Sequence, residues 1–311
     1  MNALAERIVK KDLRGLARGI SYIENDHPEK LKLLQDLHAH RKGAHVIGIT
    51  GSPGAGKSSL VNRLVHFLRS VKLTVGIVAV DPTSPFSGGA LLGDRVRMAE
   101  HFTDKGVYIR SMGTRGSLGG LARTTKETVR LMDAYGFDVI LVETVGVGQS
   151  ELDIMKVADT TAVVLNPGSG DVVQVFKAGI MEIADLFIIN KADLPGVSKL
   201  ITEIEGMLDL VKHDSPWRPP IVQTISTENT GLDGLWKQVK VHQNYLQESG
   251  EGERKRTRIM QQEVLEVVQY ELMQKINEKH EHGEWREQVG SGEMDPYTAA
   301  KNILSEWERE T

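Results

Sequence analysis

The segment Gly51-Ser52-Pro53-Gly54-Ala55-Gly56-Lys57-Ser58, followed by Ser59, fits the pattern G-x-x-x-x-G-K-[ST]. Its glycines let backbone N–H groups converge on phosphate oxygens, and the helix that starts here adds partial positive charge. Lys57 would reach the β- and γ-phosphates of a nucleotide, and the Ser58 hydroxyl would ligate Mg²⁺. A glycine-rich turn that matches by chance is the bland reading. The setting, with an apolar run before the loop and a helical pattern after it, argues against chance.

Three further strand ends carry candidate chemistry. Asn190-Lys191-Ala192-Asp193 would follow the sixth strand. A carboxylate at Asp193 can accept hydrogen bonds from the N1–H and exocyclic amine of guanine. Adenine offers no such donor pair, so this residue would select a guanine base. Ser226-Thr227 would end the next strand in a loop able to cover the base with backbone N–H groups. Glu143-Thr144-Val145-Gly146 would end the fourth strand. There Glu143 would hold Mg²⁺ directly or through water, or else cap the helix that follows. Gly146 would let the backbone approach the γ-phosphate.

Other residues leave their roles open. Asp81 would close the second strand, and Asp94 lies in the proline- and glycine-rich loop after it. Either would bind Mg²⁺ or orient the attacking water, and a surface or capping role fits each nearly as well. No glutamine directly follows Gly146, and the spacing of Gln149 makes it a poor water-positioning residue. Asn166-Pro167-Gly168-Ser169-Gly170-Asp171, with Gln174 and Lys177 beyond, reads as a nucleotide-responsive loop or as a plain turn. Arg110 and Arg115 would reach phosphate or a partner, although solvated loop arginines are commoner. His280 and His282, with Glu278, Glu281 and Glu284, read as a solvated helix end before they read as a metal site.

These residues need a frame that presents loops at strand ends. Short apolar runs supply one: His45–Thr50, Thr74–Val80, Val107–Ile109, Asp138–Val142, Thr161–Leu165, Leu186–Ile189 and Ile221–Ile225. Helical patterns lie between them, at Lys57–Arg69, Leu121–Tyr135 and Leu232–Tyr245. Strands this apolar, alternating with helices, predict a mostly parallel α/β sheet with helices on both faces. Ligands of such sheets bind at the carboxyl ends of the strands. Apolar spacing in residues 1–42 predicts an N-terminal helical extension, and the nucleotide domain would span 43–248. Residues 249–311 would form a C-terminal helical arm, with a long helix Glu253–His280, a break, and a short helix Pro296–Glu308.

Composition narrows the class. Against 42 Asp+Glu stand 38 Lys+Arg, a net charge of −4, so no nucleic-acid partner is expected. No apolar run approaches the length of a membrane span. The N-terminus lacks the apolar stretch and cleavage site of a secretory signal. The absence of cysteine excludes disulfides and thiolate metal sites. A soluble, cytoplasmic chain without a membrane partner is the expectation.

The stretches GITGSPGAGKSSL, VDPTSPFSGGALLGDRVRM, ETVGVGQSE, LNPGSGDVVQVFKAG and NKAD together resemble the MeaB/ArgK family of GTPases, over roughly residues 5–280. The resemblance implies a SIMIBI-class P-loop protein that binds GTP or GDP with Mg²⁺ and works as a nucleotide-bridged homodimer. It implies an adenosylcobalamin-dependent acyl-CoA mutase as partner, of the methylmalonyl-CoA mutase type, whose cofactor loading the GTPase gates and protects. It places Asp81, Asp94 and Glu143 around Mg²⁺ and makes the loop of Gln174 and Lys177 a partner-responsive switch. It also implies dimerisation through the helical extensions. Phosphoryl transfer relies on positioning and charge neutralisation, so slow hydrolysis by the lone chain is expected. Two rival readings are a kinase of a periplasmic amino-acid transport system and a metal-insertion GTPase. Guanine selectivity argues against the first, and the lack of cysteine against the second.

Overall fold

Seven apolar segments form strands: β1 (His45–Gly51), β2 (Val75–Asp81), β3 (Val107–Gly113), β4 (Val139–Glu143), β5 (Thr160–Leu165), β6 (Leu186–Asn190) and β7 (Ile221–Thr224). They make one sheet in the order β3-β2-β4-β1-β5-β6-β7, and all neighbours run parallel. The computed structural model describes residues 1–81, 98–113, 123–144, 150–168, 179–280 and 283–310. β1, β4, β5 and β6 are buried along their whole length. That burial explains why they read as continuous apolar runs rather than alternating ones.

Helices cover both faces. Ten longer ones are described: α1 (Ala3–Val9), α2 (Leu13–Glu24), α3 (Lys30–His38), α4 (Lys57–Ser70), α5 (Arg123–Tyr135), α6 (Val197–Val211), α7 (Leu232–Glu248), α8 (Glu251–His280), α9 (Trp285–Ser291) and α10 (Pro296–Glu310). On one face, Leu60, Val61, Leu64, Val65 and Leu68 of α4 and Leu232, Leu235 and Val239 of α7 meet Ile47, Ile49, Ile77, Leu141, Val164 and Ile188. The spacing of these helix residues is that of a single apolar stripe. On the other face, Leu16, Ile20 and Ile23 of α2 and Leu33 and Leu37 of α3 join Leu131 and Ala134 of α5 over Val46, Val78, Ile140 and Val142. Leu200, Ile204 and Leu208 of α6 cover Val163, Leu165, Phe187 and Ile189.

Polar ties bind the N-terminal helices into this core. Asn2 caps α1, with its side-chain oxygen accepting from the amides of Leu4 and Ala5 at 2.7 and 3.0 Å. Asp12 caps α2 through the amide of Arg14 at 2.9 Å. Such caps are worth about 1 kcal/mol each. Buried Asp133 on α5 accepts from the amides of Lys42 and Ala44 at 3.1 and 2.9 Å, and pairs with Arg41 at 3.3 Å. It fixes where the chain enters β1. Asp133→Ala is expected to destabilise the fold by about 2–3 kcal/mol, because it strands two backbone donors. Urea unfolding would measure this, and a loss under about 0.5 kcal/mol would contradict the assigned role.

The outer strands depart most from expectation. β3, at one edge, extends to Gly113 rather than ending at Ile109. Its polar second half is half-buried, and the Arg110 guanidinium is engaged by Glu24 of α2. A role for Arg110 at phosphate is therefore replaced by a tie between α2 and the sheet edge. β7, at the other edge, ends at Thr224, and Ile225 turns away into a bridge with Thr230.

The chain divides into two compact units, Met1–Glu253 and Arg254–Thr311. The second contains most of α8, together with α9 and α10. The break expected after His280 holds the short helix α9, which ends at Gly292 with φ +80°. Along α8, Val264, Leu265, Val268, Leu272 and Met273 are exposed. Among the described residues, no helix is long and apolar enough to cross a membrane.

Candidate nucleotide site

The strand registers bring the candidate residues to one end of the sheet. Ile49 pairs with Glu143, Ala79 also pairs with Glu143, Gly51 pairs with Val164, and Asn190 pairs with Thr224. The carboxyl ends of β1, β2, β4 and β6 are thus nearly level. β1 lies between β4 and β5, where the order of connections reverses, and ligands of open parallel sheets bind at this point.

The loop from Gly51 to Lys57 is shaped by its backbone. Gly51 has φ +133°, and a Cβ on it would lie 2.1 Å from the Val164 carbonyl oxygen. Gly56 has φ +89°, and a Cβ there would lie 2.4 Å from the Asn190 side-chain nitrogen. Both positions need glycine for conformation and for space. Gly56 directly precedes α4, and no side chain caps the first turn of that helix. Its leading amides and the positive end of its dipole therefore serve the loop. Lys57 is buried, and its ammonium donates to the carbonyls of Gly51 and Ser52 at 2.7 and 3.0 Å. Pro53, Gly54 and Ser59 are exposed, whereas Ala55 and Ser52 are buried.

Ser58 and Glu143 come together across the site. The Ser58 hydroxyl donates to Glu143 Oε1 at 2.7 Å, and Glu143 is 3 % exposed. Neighbouring ligands in an octahedral oxygen shell with bonds of 2.0–2.1 Å lie about 2.9 Å apart. Two hard oxygen donors at this separation fit Mg²⁺. The short strand β4 delivers Glu143, and the Thr144 hydroxyl donates to that of Thr50 at 2.9 Å, locking β4 to β1 beside it. Asp81 is the last residue of β2, level with Gly113 of β3, and its side chain lies outside the described residues. Asp94, Arg115, Gly146, Gln149, Gln174 and Lys177 also lie outside them, as do the side chains of Glu278, His280, Glu281 and His282.

The loop after β6 is tied to the phosphate loop directly. Asn190 is 2 % exposed and its side-chain nitrogen donates to the Ala55 carbonyl at 2.9 Å. Its oxygen accepts from the Ser226 hydroxyl and amide at 2.8 and 3.3 Å, and from the Thr224 hydroxyl at 3.2 Å. Asn190 therefore works as a strut joining three loops. Lys191, at φ +56°, donates from its ammonium to the Gly54 carbonyl at 3.0 Å. Asp193 and Thr227 are exposed beyond these ties. The Ser226 amide, expected to face a base, is spent on Asn190. The strut was not readable from the motif, which signals a base-reading turn but not what its first residue holds. Nor did any local signal announce the Thr50–Thr144 contact.

Comparison with known proteins bears on the family and the fold. A family model described as methylmalonyl-CoA mutase-associated GTPase MeaB matches residues 16–281. A protein of Pyrococcus abyssi named as a GTPase is 47% identical, over 98% of this chain and 96% of its own. The mouse methylmalonic aciduria type A homolog, mitochondrial by name, is 34% identical over 96% of this chain and 77% of its own. The crystal structure of an LAO/AO transport system kinase superposes with a TM-score of 0.71 at 23% identity, covering 99% of both chains, and shares the fold. A P-loop fold, with the family model matched over residues 16–281, makes this chain a member of the MeaB family of methylmalonyl-CoA mutase-associated GTPases.

Proposed function

We propose that this GTPase is a slow, Mg²⁺-dependent switch that gates cofactor loading of an adenosylcobalamin-dependent acyl-CoA mutase. The observation that carries the reading is the family match over residues 16–281. The strutted phosphate loop supports the nucleotide half of it. Lys57 and the first amides of α4 would hold the phosphates, and Asp193 would read guanine, with Asn190 and Lys191 fixing the distance between the two subsites. Ser58 and Glu143 would hold Mg²⁺, which neutralises phosphate charge when bound, and Asp81 and Asp94 would complete the surroundings. Gly146 would approach the γ-phosphate. Loss of that phosphate would release the loops after β2, β4 and β5, including Gln174 and Lys177, to a new state.

The chain is proposed to act in the cytoplasm as a homodimer. The exposed apolar residues Leu265, Val268 and Leu272 on α8 follow the three- and four-residue spacing of a helix-pairing seam, which supports a second copy as their cover. Slow turnover of the lone chain is consistent with phosphoryl transfer that waits on a partner to complete the positioning.

Size-exclusion and calorimetric titration with a purified methylmalonyl-CoA mutase would test the partner. The expected result is a complex whose affinity differs by at least about tenfold between the GTP and GDP states, a coupling of about 1.4 kcal/mol. No complex in any nucleotide state would contradict the reading.

A further inference from the structure

Away from the nucleotide, two segments bring imidazoles and a carboxylate together. His66 lies on α4, one turn after Asn62. Glu100 and His101 lie on a short 3₁₀ turn (Ala99–His101). His66 Nε2 contacts Glu100 Oε1 at 3.0 Å, and Asn62 donates to the same oxygen at 2.6 Å. The Asn62 carbonyl oxygen lies 2.7 Å from His101 Nε2. The two imidazole centroids are 4.3 Å apart. Among the described residues, this is the group whose His and carboxylate ligand atoms all lie within 4.8 Å of one another.

We propose that His66, His101 and Glu100 form a binding site for a borderline first-row divalent cation such as Zn²⁺, separate from the Mg²⁺ of the nucleotide. Two imidazoles and one carboxylate are a donor set that Zn²⁺ takes readily and Mg²⁺ does not. A tetrahedral ion with bonds of about 2.0–2.1 Å needs ligand atoms about 3.4 Å apart. Closing from 4.8 Å is a matter of side-chain rotation, because the side chains of His66 and Glu100 are 44% and 45% exposed. His101 is buried and fixed. Asn62 orients both His101 and Glu100, as outer hydrogen-bond partners of metal ligands do.

The site has a mechanical consequence. α4 begins at the phosphate loop, and Glu100–His101 follow the segment that contains Asp94. A bound ion would pin Glu100 and His101 to the helix carrying Lys57 and Ser58. Sequence reading missed the cluster because its members are far apart along the chain and converge only through the fold.

The test is titration of untagged, metal-free full-length protein with Zn²⁺ in Mg²⁺ buffer against a competing chromophoric chelator. One saturable Zn²⁺ per chain is expected, and His66→Ala and Glu100→Gln should each weaken it at least about tenfold. A double variant, His280→Ala with His282→Ala, should bind as the unmodified protein does. Zinc-edge X-ray absorption of the unmodified protein should show imidazole and oxygen ligands, independent of how the variants fold. Absence of a saturable site, binding unchanged in both His66→Ala and Glu100→Gln, or binding lost with His280 and His282 would each overturn the proposal.

Discussion

Lys57→Ala is expected to lower GTP hydrolysis by about 10²–10³-fold, equivalent to about 3–4 kcal/mol of barrier. Its ammonium sits inside the loop, donating to the Gly51 and Ser52 carbonyls, at the place where triphosphate charge would gather. Nothing else described in the loop replaces that charge, because Lys191 reaches only the Gly54 carbonyl on the outer side. The fold should survive. The buried stripe of α4 that packs on the sheet begins at Leu60, and the loop geometry is set by glycines and by Asn190. The thermal midpoint is therefore expected to move by no more than about 5 °C. Steady-state phosphate release beside thermal unfolding would check both halves. Unchanged turnover in a folded variant would show that phosphate is handled elsewhere.

The second large effect concerns the base. Asp193→Asn is expected to weaken GTP about 100-fold, because two charge-assisted hydrogen bonds to guanine become one neutral bond and one clash of donors. The same change should improve binding of xanthosine triphosphate, whose second ring carbonyl can accept from the new amide. Asn190 is not an equivalent target. It is buried, and its removal would cut the tie between the phosphate loop and the loops after β6 and β7. Asn190→Ala should therefore lower affinity for every nucleoside triphosphate alike, whereas Asp193→Asn changes the order of preference. Equal GTP affinity in the unmodified protein and Asp193→Asn would remove Asp193 from base reading.

Legibility in the sequence followed the range of the interaction. Strands buried on both faces show themselves locally, as apolar runs such as VIGIT and LFII, and every expected run became a strand. The phosphate loop is equally local in its glycine spacing and in the positive φ of Gly51 and Gly56, whereas the space that also requires glycine there is set by Val164 and Asn190 from distant strands. Edge strands were less clear. β3 carries Arg110 and Ser111, which break its apolar run, and it continues as strand because Glu24 satisfies the arginine from another helix.

Contacts between distant segments left no local trace. Asp133 holds the entry to β1 across a large sequence gap, and Asn190 holds Ala55 across a larger one. A polar residue in such a place looks like any surface or motif residue until the sheet brings its partners to it. The helix α8 illustrates the converse. Its apolar spacing is visible, but spacing alone does not say whether a face is covered within the chain, and here Leu265, Val268 and Leu272 are exposed.

One nucleotide is expected to bridge the two loops that Asn190 holds together. The most direct measurement is a crystal structure of the protein with GDP and Mg²⁺. Diphosphate oxygens are expected within hydrogen-bonding distance of the amides of residues 54–58 and of the Lys57 ammonium, with the guanine edge against Asp193. Nucleotide density on another face of the sheet, or a base turned away from Asp193, would contradict this expectation.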